Sequence, residues 1–551
     1  QYAAARTRNI VLQERTGNAR LRVAVGAPAL PESAALIREN PRLDEQDSGE
    51  RRCENLHASA DRMRVAPASL GVACVARRQY TPIMIASRAG LFTCAASHRW
   101  FWAVPLALGA CADRSTPVAL PPPDAPCLLL ITVDTLRADA LGCYGNPGGH
   151  TPQMDGLAAS GVLFENAVTP MATTFPAHAT MFTGLYPGAH GVRWNGDSLV
   201  DEAETLAERL SAAGWETAAF VSFKAILHSG NLGQGFAVQS DAKRTSGDAT
   251  RPGHETLSMA RAWLEQPHDR PFFLWVHLFE PHTPLPLRPW AAAQLADYEG
   301  PFEEGCDVGQ QADFNHSMRK HDGAYDADDA EAFRHIYHAA VREADALVGE
   351  LLDMTTQAAG QRELLTVLVA DHGEMTGDHD LLGHGSLLWE GVLHVPMIVH
   401  APKRFVAGRR TTRVGLPDLA PTVFELLSLP APDSLQGRSL LPLLRGEKAG
   451  EGIYYGEIRI SKDPDAPQRE ALAGFDGMLK AVMDANGVRF YDLAQDPEEA
   501  HPMRVEAAGP SAQRLIVKMN EYRARNALTN RDSPFLDAAL GAELAALGYT
   551  E

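Results

Sequence analysis

Three apolar runs of this sequence lead into side chains that could bind a metal ion. These side chains are Asp134 after the run 127–133, His277 and His282 in and after the run 272–278, and Asp371 with His372 after the run 364–370. Carboxylates favour calcium, magnesium or manganese, and imidazole widens the choice to zinc. Ligands of open α/β sheets bind beyond the carboxyl ends of the strands. The pattern therefore predicts a divalent metal site at one edge of a sheet.

Each of these residues also has a purely structural interpretation. Asp134 could cap the helix that follows it, which stabilises a helix by about 1 kcal/mol. His277 could be a hydrogen-bonded histidine of the core, and Asp371 with His372 could form a turn. The recurrence of such residues at the ends of several runs favours the metal site.

Apolar runs of strand length alternate with helical patterns after residue 126. The predicted strands are 127–133, 217–222, 272–278, 364–370 and 395–400, and the predicted helices are 151–160, 202–213, 254–265, 330–354 and 416–427. Continuous apolar runs are typical of parallel strands covered on both faces. The alternation predicts an α/β fold with a doubly wound, mostly parallel sheet over residues 126–449.

The pattern changes after about residue 450. The segments 453–460, 477–484 and 488–493 read as strands, with Asn486-Gly487 as a hairpin turn, and 511–527 reads as a helix. We expect residues 450–551 to form a smaller C-terminal α+β subdomain built on an antiparallel sheet.

The composition disfavours two classes of protein. The chain has 551 residues, 45% of them hydrophobic and 22% charged, as expected for a globular protein with a large core. Its formal charge of -19 disfavours a surface that follows nucleic-acid phosphates, so we expect no nucleic-acid partner. Seven cysteines are too few and too irregularly spaced for a disulfide scaffold or a cysteine zinc module.

An apolar segment at 100–110 is typical of a secretory signal, because it follows a basic flank and ends in small residues. Cys111 comes directly after it, as in a bacterial lipoprotein box; a short buried helix is the alternative. We expect Met84 to be the true first residue of the protein. We also expect the protein to be exported to the bacterial periplasm or outer membrane, with a lipid on Cys111 as its only contact with the membrane. The predicted divisions are 1–83, non-native or disordered, 84–111, the signal segment, and 112–125, a Pro-rich tether.

Several short motifs follow one another along the chain. They are Asp134-Thr-Leu-Arg-Ala-Asp139, Thr183-Gly-Leu-Tyr-Pro187, Asp371-His-Gly-Glu374, Gly383-His-Gly-Ser386, Asp418-Leu-Ala-Pro-Thr422 and Gln436-Gly-Arg-Ser-Leu440. These motifs resemble those of the sulfatase family, in the alkaline phosphatase superfamily. The resemblance implies an alkaline phosphatase-like fold. It also implies metal-dependent hydrolysis of sulfate or phosphate esters by a nucleophile that sits on the metal.

The nucleophile position departs from the sulfatase pattern. Sulfatases carry a Cys/Ser-x-Pro-x-Arg motif whose first residue is oxidised to formylglycine, and the matching stretch here is Thr174-Phe-Pro-Ala-His178. Threonine is not a substrate for that oxidation, and His178 replaces the arginine. The stretch is similar to that of nucleotide pyrophosphatase/phosphodiesterases, in which an unmodified threonine attacks phosphorus. Thr174 could instead serve only as a helix N-cap.

The resemblance implies two in-line displacements through a covalent ester of Thr174. The predicted ligands of one divalent ion (calcium, zinc or manganese) are Asp134, Thr174, Asp371 and His372. The predicted acids for the leaving oxygen are His282 and His384. The weaker candidates for substrate contacts are His178, Asn195, His277 and Lys224, the last of which could be merely an exposed lysine. Relatives with two metals carry an Asp-x-x-x-His motif, which this sequence lacks after its third predicted strand.

Two other functions are compatible with the same motifs. The protein could be a sulfatase that works without formylglycine, or a non-catalytic, envelope-anchored binding protein of sulfatase fold. We expect the partner to be a small-molecule or glycan ester of sulfate or phosphate. Specificity commonly lies on loops, and the candidate loops are 240–251 and 284–329.

Overall fold

The computed structural model describes residues 120–122, 124–200, 203–227, 230–241, 250–459, 470–504 and 508–526, all within one compact unit. The predicted signal segment, Cys111 and residues 1–83 lie outside the described residues. The end of the predicted tether packs onto the domain. Ala125 is buried, and the carbonyl of the following residue, Pro126, accepts a hydrogen bond of 3.0 Å from the Trp215 indole. Among the described helices, none has the length and apolarity needed to cross a membrane.

The strands of the described residues form one large sheet and three smaller ones. In chain order they are β1 (Cys127–Val133), β2 (Val162–Val168), β3 (Glu216–Val221), β4 (Val238–Ser240), β5 (Phe272–Leu278), β6 (Leu285–Pro286), β7 (Gly305–Cys306), β8 (Leu364–Ala370), β9 (Met375–Thr376), β10 (Leu382–Gly383), β11 (His394–His400), β12 (Gly408–Arg410), β13 (Val414–Gly415), β14 (Ile453–Arg459), β15 (Glu470–Asp476), β16 (Leu479–Asp484) and β17 (Gly487–Asp492). The large sheet has the order β12-β2-β11-β8-β1-β5-β3-β4, with β13 also paired to β2. Every residue of β1 and β5 is buried, so both faces of the sheet are covered.

The helices pack against this sheet and against one another. They are α1 (Pro152–Ser160), α2 (Thr174–Thr183), α3 (Pro187–His190), α4 (Leu206–Ala212), α5 (Gly253–Leu264), α6 (Pro289–Gln294), α7 (Val308–Lys320), α8 (Ala327–Ala359), α9 (Glu390–Leu393), α10 (Leu419–Leu426), α11 (Leu441–Leu444) and α12 (Gly509–Arg525). Helix α8 contacts α1, α5 and α6, whereas α2 contacts α4 and α10. The predicted α/β class is confirmed.

Local chemistry explains where the structure differs from the predicted elements. Strand β11 runs antiparallel to both of its neighbours, so the sheet is mixed. Strand β2 was not predicted, because Glu165 and Asn166 interrupt its apolar run. Helix α4 begins at Leu206 rather than 202, since Thr205 and Glu208 form a capping box. The segment 284–329 is not one long loop, because it contains α6 and α7.

The C-terminal strands form an antiparallel sheet in the order β14-β15-β16-β17, which confirms that part of the predicted fold. Strand β15 was not predicted, since its alanines and glycine have low strand propensity. Gly477 belongs to the turn between β15 and β16, where it adopts φ +60°, and not to a strand. Helix α12 packs on β15 and β16.

A buried lysine joins this sheet to the large domain. Lys480 on β16 is fully buried, and its ammonium lies 2.6 Å from Glu499 and 3.1 Å from Glu390. It also donates a hydrogen bond of 2.6 Å to the carbonyl of Leu388. The cluster holds α9, which follows the predicted site residues His372 and His384, against the small sheet.

We expect Lys480→Met to lower the free energy of unfolding by about 3–5 kcal/mol, because the buried carboxylate of Glu499 loses its cation and Glu390 keeps only Arg413, 3.9 Å away. The matched control is Lys518→Met, whose exposed pair with Glu521 contributes at most about 1 kcal/mol. Urea unfolding monitored by tryptophan fluorescence measures both. Equal stabilities of the two variants would show that the cluster does not anchor the sheet.

Candidate active site

Three neighbouring parallel strands bring the predicted metal ligands to one edge of the sheet. In the register of the sheet, Val133 at the end of β1 pairs with Ala370 of β8 and with Leu278 of β5. Asp134 and Asp371 are the residues that follow β1 and β8, so their side chains start from adjacent positions. The structure therefore places Asp134 and Asp371 next to each other at one edge of the sheet.

Asp134, Asp371 and His372 form a fully buried cluster, in which one ligand atom of each lies within 4.8 Å of the others. His372 Nε2 is 3.8 Å from Asp134 Oδ1 and 3.6 Å from Asp371 Oδ2. None of these three atoms has a hydrogen-bond partner among the described residues. His372 Nδ1 lies 3.0 Å from the Gly373 carbonyl, an acceptor, so the proton is on Nδ1 and the Nε2 lone pair faces the carboxylates.

Buried lone pairs that face one another without a hydrogen between them repel, and a bound cation removes that repulsion. Burial raises the pKa of Asp134 to about 7. Burial, followed by the neighbouring Asp134, raises the pKa of Asp371 as well. Two carboxylate oxygens and one imidazole nitrogen are donors that calcium, manganese or zinc accept. The residues therefore fit a divalent ion.

The backbone fixes the orientation of the Asp371 carboxylate. Its Oδ1 accepts hydrogen bonds from the backbone N–H of His372 at 2.8 Å and of Thr135 at 3.3 Å, which leaves Oδ2 to the cluster. Thr135 adopts φ +54°, a strained value for a β-branched residue. Its carbonyl accepts a hydrogen bond of 2.8 Å from the Tyr337 hydroxyl on α8. At Gly373 any side chain would collide with the carbonyl of Gly391, which explains this glycine.

Thr174 begins helix α2 beside the cluster. It is fully buried, and its hydroxyl donates to Asp134 Oδ2 at 3.5 Å. The N-cap is Thr173, whose side chain makes no capping hydrogen bond, so Thr174 is not the N-cap. Asn195 Oδ1 accepts a hydrogen bond of 2.8 Å from the backbone N–H of Phe175. The Nδ2 of Asn195 is buried without a partner among the described residues.

His178 is held by a chain of hydrogen bonds that sets its tautomer. The Trp275 indole can only donate, and it does so to the Thr132 hydroxyl at 2.9 Å. His178 lies 3.1 Å from that hydroxyl through Nε2 and 2.7 Å from the Thr174 carbonyl through Nδ1. The carbonyl can only accept, so Nδ1 carries the proton and Nε2 accepts from Thr132. Burial lowers the pKa of His178 to about 3, so the ring is neutral.

The other predicted imidazoles lie around the same cluster. His277 Nε2 is 3.3 Å from Asp134 Oδ2, and burial lowers the pKa of His277 to about 4. The rings of His282 and His384 lie 4.8 Å apart, and those of His384 and His372 lie 4.6 Å apart. Burial holds the pKa of His282 well below its usual range. Lys224 lies in the turn 224–226, which packs against α2, so its substrate contact stays a prediction.

Sequence reasoning missed several residues that position this site. Glu374 is buried, and its Oε2 accepts a hydrogen bond of 2.9 Å from His384 Nδ1. Thr132, Thr135 and Trp275 also escaped notice. A polar residue within the otherwise apolar run of β1 was the available signal for Thr132, whereas nothing in the sequence indicated that Trp275 would contact it.

Comparison with known proteins gives one consistent result. The family model described as Sulfatase matches residues 126–429, and the one described as N-sulphoglucosamine sulphohydrolase, C-terminal, matches residues 377–525. An arylsulfatase of Clostridium perfringens is 22% identical over 68% of this chain and 89% of its own length. A delta 4,5-hexuronate-2-O-sulfatase of Bacteroides thetaiotaomicron is 26% identical over 68% and 84%. The phosphonate monoester hydrolase structure from Agrobacterium radiobacter has TM-score 0.59 and 22% identity, covering 73% of this chain and 95% of that one. The structural likeness confirms the alkaline phosphatase-like fold.

We expect Thr132→Val to lower the free energy of unfolding by roughly 1–3 kcal/mol, since His178 and Trp275 each lose a buried hydrogen-bond partner. Thr132→Ser keeps the hydroxyl and should cost less than about 1 kcal/mol of that free energy. Histidine-selective ¹⁵N NMR of the parent should report a neutral Nδ1–H ring for His178 between pH 5 and 8. An Nε2–H ring would contradict the hydrogen-bond chain.

Metal affinity should fall as the pH drops through 7, because the ion displaces the proton that the raised pKa keeps on Asp134. The expected change is about tenfold per pH unit for one proton. In the metal-free protein the stabilisation that comes from this raised pKa is fully present only below the ordinary aspartate pKa of 3.8, and it is lost as the pH rises from there through 7. A chelator should therefore lower the melting temperature more at pH 8 than at pH 6.

Calorimetric titration with Mn²⁺ at both pH values measures this effect. Asp371→Asn should weaken binding, whereas Asp353→Asn, on an exposed part of α8, should leave it unchanged. Equal Mn²⁺ affinity at pH 6 and pH 8 would argue against ligation by Asp134.

Proposed function

The chain belongs to the sulfatase family and is an ester hydrolase, and on that basis we propose that it cleaves sulfate or phosphate esters with unmodified Thr174 as the nucleophile. One observation carries the proposal. The Thr174 hydroxyl is buried against Asp134, a member of the predicted cation site, at the position where sulfatases carry formylglycine. A carboxylate that accepts a hydrogen bond from a hydroxyl can also accept its proton when that hydroxyl acts as a nucleophile.

Asp134, Asp371 and His372 would hold one divalent ion, with the Thr174 oxygen as a further ligand. When bound, such an ion supplies Lewis-acid polarisation of an ester oxygen and favours the ionised form of a nearby hydroxyl. The donor set supports calcium, zinc or manganese. Oδ1 of Asp371 is already occupied by two backbone N–H groups, so this carboxylate would offer Oδ2 alone.

In the proposed first step, Thr174 Oγ1 forms a bond to sulfur or phosphorus as the bond to the leaving oxygen breaks. The hydroxyl proton is directed toward Asp134 Oδ2. The leaving oxygen takes a proton from His384 and departs as the alcohol. His282 is the weaker candidate for this acid, because burial holds its pKa well below the usual range and disfavours a protonated ring. The carboxylate of Glu374 accepts a hydrogen bond from His384 Nδ1, which fixes the orientation of the His384 ring. In the second step water releases sulfate or phosphate and restores the threonine.

The remaining candidates divide into two roles. Asn195 is suited to donate from Nδ2 to a non-bridging ester oxygen, because its Oδ1 is occupied by the helix that carries Thr174. His178 is suited to position Thr174 rather than to contact substrate, since both its ring nitrogens have partners. His277 would steady Asp134. Lys224 is kept as a weaker substrate contact.

A second candidate is a binding protein that kept the fold without the chemistry. The continued presence of Thr174 beside the predicted metal ligands supports catalysis instead. We also propose export and lipidation of Cys111, which rest on the sequence pattern alone.

We expect Thr174→Ala to lower kcat by at least 10³-fold, since the first covalent step loses its nucleophile. Thr173→Ala is the matched control: this neighbour is also buried but makes no capping hydrogen bond, and kcat should change less than about tenfold. The assay is a panel of aryl sulfates, phosphate monoesters, phosphate diesters and phosphonates, with and without Ca²⁺, Zn²⁺ or Mn²⁺. A Thr174→Ala variant as active as the parent would refute the mechanism, and a parent without turnover would favour the binding protein.

A further inference from the structure

A cavity of about 1200 Å³ lies beside the candidate active site, between the loop 386–389, the small C-terminal sheet and the end of α12. Three chain segments connect it to the catalytic residues. Met171, Arg193 and Ser386 line the cavity, and they lie three, two and two residues from Thr174, Asn195 and His384 respectively. At no more than about 3.6 Å per residue, each step is shorter than about 11 Å. The cavity is therefore within reach of the organic part of a bound ester.

Apolar side chains from both parts of the protein form much of its wall. Leu387 and Trp389 come from the large domain, whereas Ile458, Met483 and Tyr491 come from the small sheet. The Trp389 ring stacks on His379 at 3.8 Å between centroids and meets the edge of Tyr491 at 6.3 Å. A tryptophan held on two sides offers a rigid apolar surface to a ligand.

Several polar groups of the wall are already paired with one another. Glu457 lies 3.3 Å from Arg193 and accepts a hydrogen bond of 2.9 Å from the Tyr522 hydroxyl. Arg489 and Asp484 form an ion pair at 2.6 Å. The exposed side chains of Asn486 and Asn520 belong to the rim. Because these polar groups are engaged with one another, the apolar side chains of the wall are left to contact a ligand and favour an apolar group.

We propose that this cavity binds an aromatic or otherwise apolar organic group of the substrate. The proposal rests on the proposed function, because it assigns the organic part of the ester that Thr174 would attack. Ligand pockets commonly measure about 300–1,000 Å³, so the cavity accommodates a group larger than a single benzene ring.

The test compares phenyl and 2-naphthyl esters of whichever acid group the parent enzyme hydrolyses. The two leaving groups have similar acidity, so a difference in kcat/KM reports contact with the second ring. We expect the naphthyl ester to be favoured roughly tenfold. Met483→Ser in the small sheet and Leu387→Ser in the loop 386–389 should each bring this ratio close to one. Val517→Ser, on an exposed position of α12 outside the cavity, should leave it unchanged.

Direct binding separates this proposal from the proposed function. Fluorescence titration with 2-naphthol should give saturable binding that Met483→Ser weakens severalfold, whether or not the protein has turnover. If Thr174-dependent hydrolysis is present but the ratio of the two kcat/KM values is one, the cavity proposal is wrong and the proposed function stands. The same conclusion follows if hydrolysis is present and glucose binds the cavity more tightly than 2-naphthol. If 2-naphthol binds at the cavity but no ester is cleaved, the proposed function is wrong, and the cavity is a site for apolar ligands that are not parts of an ester substrate.

Discussion

The centre of this protein depends on one electrostatic constraint. Two carboxylates and an imidazole lone pair converge in a fully buried space, where the described residues supply no hydrogen to separate them. Such an arrangement is costly unless a cation or a proton is present. Burial raises the pKa of Asp134, which favours the proton where no cation is bound. The surrounding structure keeps these three groups from moving apart.

The large sheet provides most of that resistance. Asp134 and Asp371 follow adjacent strands whose residues are paired in register, so the separation of the two side chains is set by the strand spacing. The strained backbone of Thr135 adds a hydrogen bond to Asp371, and Tyr337 on α8 holds that strained residue in place. Helix α2 then brings Thr174 to the same point, with His178 one turn further along and bonded back to its carbonyl.

Much of this arrangement was predictable from sequence, for identifiable reasons. The strands that end at Val133 and Ala370 are continuous apolar runs, so the bounds of both strands were predictable from the sequence. Asp134 and Asp371 directly follow these strands, so their convergence at one edge of the sheet was predictable as well. The direction of β11 could not, because an apolar run does not encode whether its neighbours are parallel. Strand β15 lacks both strong propensity and an apolar run. The hydrogen bond between Trp275 and Thr132 joins residues 143 positions apart, and no local pattern reports it.

The neutral ring of His178 has a consequence for the charge balance of the pocket. An arginine at this position would carry a permanent positive charge, whereas burial keeps this imidazole uncharged at physiological pH. Two carboxylates would offset a divalent ion, so an ion held by those ligands would be formally neutral. On the proposed function, an ester that carries a single negative charge, such as a sulfate monoester or a phosphate diester, would then be easier to accommodate than a doubly charged phosphate monoester.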